Sequence, residues 1–161
     1  FIEAFSLLAQ KDSKLYLICT GNKFSQDEED LLSKLHIKNK TLQINASDKE
    51  LSELYTRASL FVFPSLYEGF GIPILEAYAC HCPIAISNTS CFPEIAGDAA
   101  IYFDPYSVKD IANTIEAVIY NPQKSNELIQ KGIKRLELYS WEKTVVETEE
   151  TYKKTIQGYN F

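Results

Sequence analysis

The sequence predicts a doubly wound α/β domain, a parallel sheet with helices on both of its faces. Three observations carry that prediction. Apolar runs of strand length alternate with helix signals along the chain, the runs are near-continuously apolar, as strands covered on both faces are, and helix starts with capping signals follow the strands directly. The 161 residues, 45% hydrophobic and 24% charged, suit one domain with a core of its own.

The elements follow in order. FIEAFSLLA, from Phe1, reads as the body of a helix. Because the chain opens mid-pattern and without methionine, it is expected to be a piece of a longer protein. KLYLICT (14–20) is a first strand ending at Gly21, and Ser25 to Glu28 has the spacing of a capping box that opens a helix. KTLQI (40–44) is a second strand. Ser47 to Glu50 is a second capping box, and its helix carries Leu51, Leu54 and Tyr55 on one face. SLFVFP (59–64) is a third strand, Pro73 starts the helix PILEAYAC, PIAIS (83–87) is a fourth strand, and AAIYF (99–103) a fifth. Ser107 then caps a helix with Val108, Ile111, Ile115, Val118 and Ile119 at helical spacing, and helices near 123–138 and 141–158 close the chain.

Composition narrows the function classes. Twenty-two acidic against 16 basic residues give a net charge of -6 with no basic stripe, so nucleic acid and an anionic membrane surface are not expected partners. No apolar stretch approaches the ~20 residues of a membrane span. The cysteines Cys19, Cys80, Cys82 and Cys91 lack the paired spacing of a zinc site and read as buried thiols of a reducing compartment.

The chemistry is concentrated in SLYEGFGIPILEA (65–77). Doubly wound sheets bind ligands beyond the carboxyl ends of their strands, and this loop leaves such an end and leads into a helix start. Gly69 and Gly71 let a ligand approach the main chain. The amides of Phe70, Gly71 and Ile72, at the positive end of a helix, suit a phosphate or diphosphate. Glu68 and Glu76 are acceptors, matched to the hydroxyls of a sugar. Glu76, between Ile74, Leu75 and Ala77 in a helix expected to pack on the sheet, needs donors such as ribose hydroxyls. A plainer account also fits the residues: Glu68 a solvated loop residue, Glu76 on the outer helix face, and glycines that only turn the chain.

Residues 58–87, ASLFVFPSLYEGFGIPILEAYACHCPIAIS, resemble nearly throughout the signature of retaining GT-B glycosyltransferases of family 4, with its E-x7-E element and interior F-G. FIEAFSLL at the start, NTSCFPEIAGDAAIYFDPYSVKDIANTI after the signature and YSWEKTVVETEETYKK near the end are similar to that family too. The resemblance implies a Rossmann-like C-terminal half of the GT-B fold. Residues 1–161 would be the nucleotide-sugar donor domain lacking its first strand, with the N-terminal acceptor domain expected outside this sequence. It places Glu68, the catalytic-site glutamate, beside the donor sugar as a positioning group and not a covalent nucleophile. Gly69, Phe70 and Gly71 would lie against the sugar, Ile72 near the diphosphate, Glu76 at the ribose, and Gly21 in a turn facing the nucleotide.

Departures from the family are His81, where glycine is frequent and a left-handed backbone is wanted, and LQINASDKEL, which lacks a glycine near Ile44 and Asn45. By the resemblance, the Arg and Lys that clamp the diphosphate in this family would fall upstream of Phe1. The implied activity is retaining transfer of a hexose from a nucleotide diphosphate sugar to an acceptor hydroxyl in polysaccharide or glycan biosynthesis. No metal or other cofactor is expected. The acceptor, a glycan or lipid-linked sugar, and any membrane surface would be met by the missing part, in the cytoplasm or at the inner membrane face. Two rivals are a sugar-nucleotide epimerase, for which His36 and His81 are the only histidines, and a non-catalytic nucleotide-sugar-binding or regulatory domain.

Overall fold

Both capping boxes form. In the computed structural model, which describes residues 1–158, Ser25 and Glu28 cap each other at the start of α2 (Gln26–Lys34), and Ser47 and Glu50 do so at α3 (Asp48–Arg57). Each side-chain oxygen takes an orphan N–H of the first turn, so these short helices start at fixed residues. α1 (Ile2–Lys11) precedes β1 (Leu17–Thr20), and β2 (Thr41–Ile44) lies between α2 and α3. There follow β3 (Phe61–Phe63), α4 (Ile72–Ala79), β4 (Ile84–Ser87), α5 (Phe92–Ala96), β5 (Ile101–Phe103), α6 (Val108–Ile119), α7 (Pro122–Leu136) and α8 (Trp141–Gly158). The expected domain end at 161 lies outside the described residues.

All pairings are parallel, as expected for strands separated by helices. Phe61 pairs with Ile84 and Ala85 with Ile101, so β4 is central in the order β3-β4-β5. All four residues of β4 are buried. Ile84 and Ile86 point into a cluster with Ile74, Tyr78 and Phe92, while Ala85 points the other way, into a cluster with Leu8, Phe103, Ile111 and Ile115. Helices therefore cover both faces, as the apolar runs require.

The sheet is not continuous. Among the described residues, β1 pairs only with β2, Leu17 to Thr41, and no pairing joins β1 to β3. α1 spans the two sheets: Ala4 and Leu8 join the cluster under β4, while Phe5 packs with Leu32, Ile37 and Leu17 on the β1 side. The two pieces are thus held together by side-chain packing in place of backbone pairing.

Two expectations are corrected. Of the four cysteines only Cys82 is buried; Cys19, within β1, is partly exposed, as are Cys80 and Cys91, which sit at the end of α4 and the start of α5. All four are free thiols, and burial pushes that of Cys82 up to about 12. The short α5 was not predicted, being hidden in an apolar stretch with Pro93 in its first turn.

Tyr78 owes its place to Gly132. α7 crosses α4 there, and a Cβ on Gly132 would fall against Cδ1 of the Tyr78 ring and 2.9 Å from Cε1. Replacing a mid-helix glycine by alanine ordinarily stabilises by about 0.5–1 kcal/mol. Here overpacking reverses the sign: Gly132→Ala is expected to lower the unfolding free energy by about 1–3 kcal/mol, read as a lower urea midpoint.

Candidate functional site

The loop between β3 and α4 emerges beside the loop that follows β4, because Phe63 and Ile86 are paired neighbours at the strand ends. α4 begins abruptly. Gly71, at φ 94°, is its N-cap and offers no side-chain acceptor, and Pro73 fixes the first turn. Among the described residues, no acceptor engages the N–H groups of Gly69, Phe70 or Gly71. Ile72, exposed at the first helical position, has no carbonyl one turn back to bond. The structure therefore presents a cluster of donors at the positive end of a helix, the electrostatic character of an anion site.

Glu68 is half-buried beside this cluster. Ser65 Oγ donates to Glu68 Oε1 at 2.9 Å. The main chain of Glu68 is held by Ser90, whose Oγ accepts from Glu68 N at 3.2 Å and donates to Glu68 O at 2.9 Å. On either side of Ser90, Thr89 Oγ1 donates to Leu66 O at 3.2 Å and the Cys91 thiol to Phe70 O at 3.1 Å. Three consecutive residues after β4 thus strap down the loop after β3. The sequence reading missed them, since contacts more than 20 residues apart leave no local pattern; the Ser65-x-x-Glu68 spacing was a signal that was there to find.

Glu76 lies one helical turn further on and differs from expectation. It is exposed, because α4 buries Ile74, Ala77 and Tyr78 and turns position 76 outward. A donor is present all the same: the Tyr55 hydroxyl donates to Glu76 Oε2 at 3.3 Å. Tyr55 is 7% exposed and its ring meets Phe61 edge-on at 5.1 Å. Burial, then the charge of Glu76, holds its hydroxyl far above the ordinary tyrosine range, so it remains a donor. Both glutamates keep one oxygen toward a protein donor and leave acceptor capacity for a ligand.

Gly21 stands apart from this group, on the other sheet. It ends β1 at φ 121°, its N–H donating to Ile44 O at 3.1 Å, with open space where a Cβ would be. Asn45 follows that acceptor. Of the aromatic residues near the loop, Tyr67 is 81% exposed and Phe70 rests edge-on against Tyr139 at 5.8 Å, whereas Tyr78 and Phe92 are core. His81 has φ 56°, the left-handed conformation expected where glycine is frequent, and lies at the far end of α4, about 13 Å along the axis from Ile72. Among the described residues, no three His, Cys, Asp or Glu side chains stand together as a metal-binding group, and no helix is long and apolar enough to cross a membrane. A separate cavity of about 360 Å³ lies at the ends of β4 and β5, lined by Asn88, Thr89, Tyr102, Asp104, Tyr106 and Asp110 among others.

Residues 1–135 match the family described as glycosyl transferases group 1. The chain is 38% identical over 106 residues to the O-antigen chain mannosyltransferase B of Escherichia coli, covering 66% of this chain and 28% of that protein. It is 32% identical over 114 residues to an MMP alpha-(1->4)-mannosyltransferase of Mycolicibacterium hassiacum, 68% of this chain and 28% of that one. The chain therefore spans less than a third of these relatives. Among solved structures, a sucrose-phosphate synthase of Thermosynechococcus elongatus superposes with a TM-score of 0.84 at 21% identity, over 98% of this chain and 42% of that one. Anabaena HepE, solved in complex with UDP, gives 0.78 at 18% identity, over 98% and 44%. At these identities the likeness is one of fold.

The glycines of the loop are not equivalent. A Cβ on Gly71 would need a left-handed backbone and would meet Ile74 Cδ1 at 3.1 Å, whereas Gly69 has no positive φ and open space. Gly71→Ala is expected to cost about 1–3 kcal/mol of stability and Gly69→Ala under about 1 kcal/mol, both measured by urea unfolding.

Proposed function

The chain belongs to the glycosyl transferases group 1 family, and from that premise we propose that it is the C-terminal, donor-binding half of a retaining hexosyltransferase of the family 4 type. The observation that carries this reading is the pairing of free amides at the start of α4 with two glutamates, one on each side, each with an oxygen to spare. Amides suit a diphosphate and carboxylates suit hydroxyls, which together describe a nucleotide sugar. The amides of Gly69, Phe70, Gly71 and Ile72 would meet the diphosphate and the sugar's near edge. Glu68 would bond the sugar hydroxyls and Glu76 the ribose, with Gly21 facing the nucleotide. The mannosyltransferase relatives favour mannose as the sugar, and the acceptor is proposed to be a glycan or lipid-linked sugar.

The split sheet supports a two-part enzyme. A doubly wound sheet reads 3-2-1-4-5-6, and the order here is β2-β1 and β3-β4-β5 with the middle place open. A parallel strand from residues preceding Phe1 would fill it and unite the two sheets, so the domain is proposed to lack its first strand within this chain. That place is also the switch point at which such folds bind ligands. Departure of the nucleoside diphosphate develops negative charge, which the α4 amides would share with cationic side chains from outside the chain, without a divalent cation or cofactor. Transfer would take place in the cytoplasm, with acceptor and any inner-membrane contact supplied by the rest of the polypeptide.

Four outcomes test this. The intact polypeptide is expected to turn over nucleoside-diphosphate mannose equally well with and without a metal chelator, whereas residues 1–161 alone fold but transfer no sugar; turnover by that piece would refute the division of labour. In the intact polypeptide, Glu76→Ala is expected to weaken free nucleoside diphosphate by about tenfold to a hundredfold, as loss of a charge-assisted hydrogen bond would. Glu68→Ala is expected to spare the free diphosphate and lower donor turnover by a similar factor. Calorimetric titration reads the first and sugar release the second; equal loss of diphosphate affinity in both variants contradicts the assignment.

A further inference from the structure

Ser90 has φ 54°, in the left-handed region that a residue with a Cβ enters at a cost. His36 and His81, the other non-glycine residues so placed among those described, stop helices, where the conformation is common. Ser90 stops none; it precedes α5 in the loop after β4. Strain of this kind persists where the surroundings use it. The use is visible in the hydroxyl, which bonds both main-chain groups of one residue, Glu68, while the Ser65 hydroxyl bonds that residue's carboxylate, the nearer of its two acceptors.

We infer that Ser65 and Ser90 are positioning residues that clamp Glu68, Ser90 fixing its main chain and Ser65 one of its carboxylate oxygens. The consequence is rotational. A carboxylate on an exposed loop samples several rotamers, and holding Oε1 at 2.9 Å from Ser65 while the N–H and C=O are pinned leaves Oε2 aimed in one direction. Neither serine needs to touch the ligand. Placing Oε2 at a sugar hydroxyl rests on the donor-site reading above; the clamp itself rests on the three hydrogen bonds.

The test uses Ser65→Ala, Ser90→Ala and Glu68→Ala, singly and paired, in the intact polypeptide with nucleoside-diphosphate mannose. Each serine variant is expected to lower kcat by about tenfold while the Kd of free nucleoside diphosphate moves less than about twofold. Because the serines act through Glu68, adding either change to Glu68→Ala is expected to lower kcat by less than about twofold further. A tenfold further loss in that background, or full turnover in either serine variant while Glu68→Ala is impaired, overturns the clamp. If Glu68→Ala itself turns over normally, the donor-site reading falls and the clamp is read from hydrogen exchange. Faster exchange of the Glu68 amide in Ser90→Ala then upholds it, and unchanged protection overturns it.

Discussion

The parallel pairing of β3 with β4 is the contact on which the site depends. It sets Phe63 beside Ile86, so the chain leaves both strands at the same edge and two loops run side by side. Only for that reason can Thr89, Ser90 and Cys91 reach carbonyls of Leu66, Glu68 and Phe70. The pairing is in turn secured by burial: β4 is covered on one face by α4 and α5, on the other by α1 and α6, and slipping its register by one residue would exchange Ile84 and Ile86 for Ala85 between two clusters of different size. The core thus fixes a loop that contains almost no core residues.

α1 has a second task. With no hydrogen bond between β1 and β3, Leu8 and Ala4 on one side and Phe5 on the other tie the β1-β2 pair to the rest. α1 and α6 are further linked by an ion pair, Lys11 to Glu116 at 2.8 Å, but both side chains are exposed and such a pair contributes little. Apolar packing carries the join. Gly21 and Glu68, which are proposed to meet one ligand, sit on opposite sides of it.

Local chemistry was legible in the sequence and distant chemistry was not. The capping boxes at Ser25 and Ser47 were readable because donor and acceptor are three residues apart, and the EGFG loop because glycine, proline and a strand end coincide there. The exposure of Glu76 was misjudged on its apolar neighbours. Periodicity held the better answer: with Ile74, Ala77 and Tyr78 inward, residue 76 stands about 200° around the helix from Ile74. Tyr55 and Ser90 reach the glutamates across 21 and 22 residues, and no pattern of neighbouring letters encodes such a contact. The residues of the strands do not show the break in the sheet, although the resemblance implied a domain lacking its first strand.

The central claim is that the start of α4 and its two glutamates hold a nucleotide sugar, and a crystal structure of the intact polypeptide with a nucleoside-diphosphate hexose tests it most directly. The expected result has ribose hydroxyls on Glu76, diphosphate oxygens on the amides leading into α4 and sugar hydroxyls on Glu68. A nucleotide seated instead in the cavity between Asn88 and Asp110, touching neither glutamate, would contradict it.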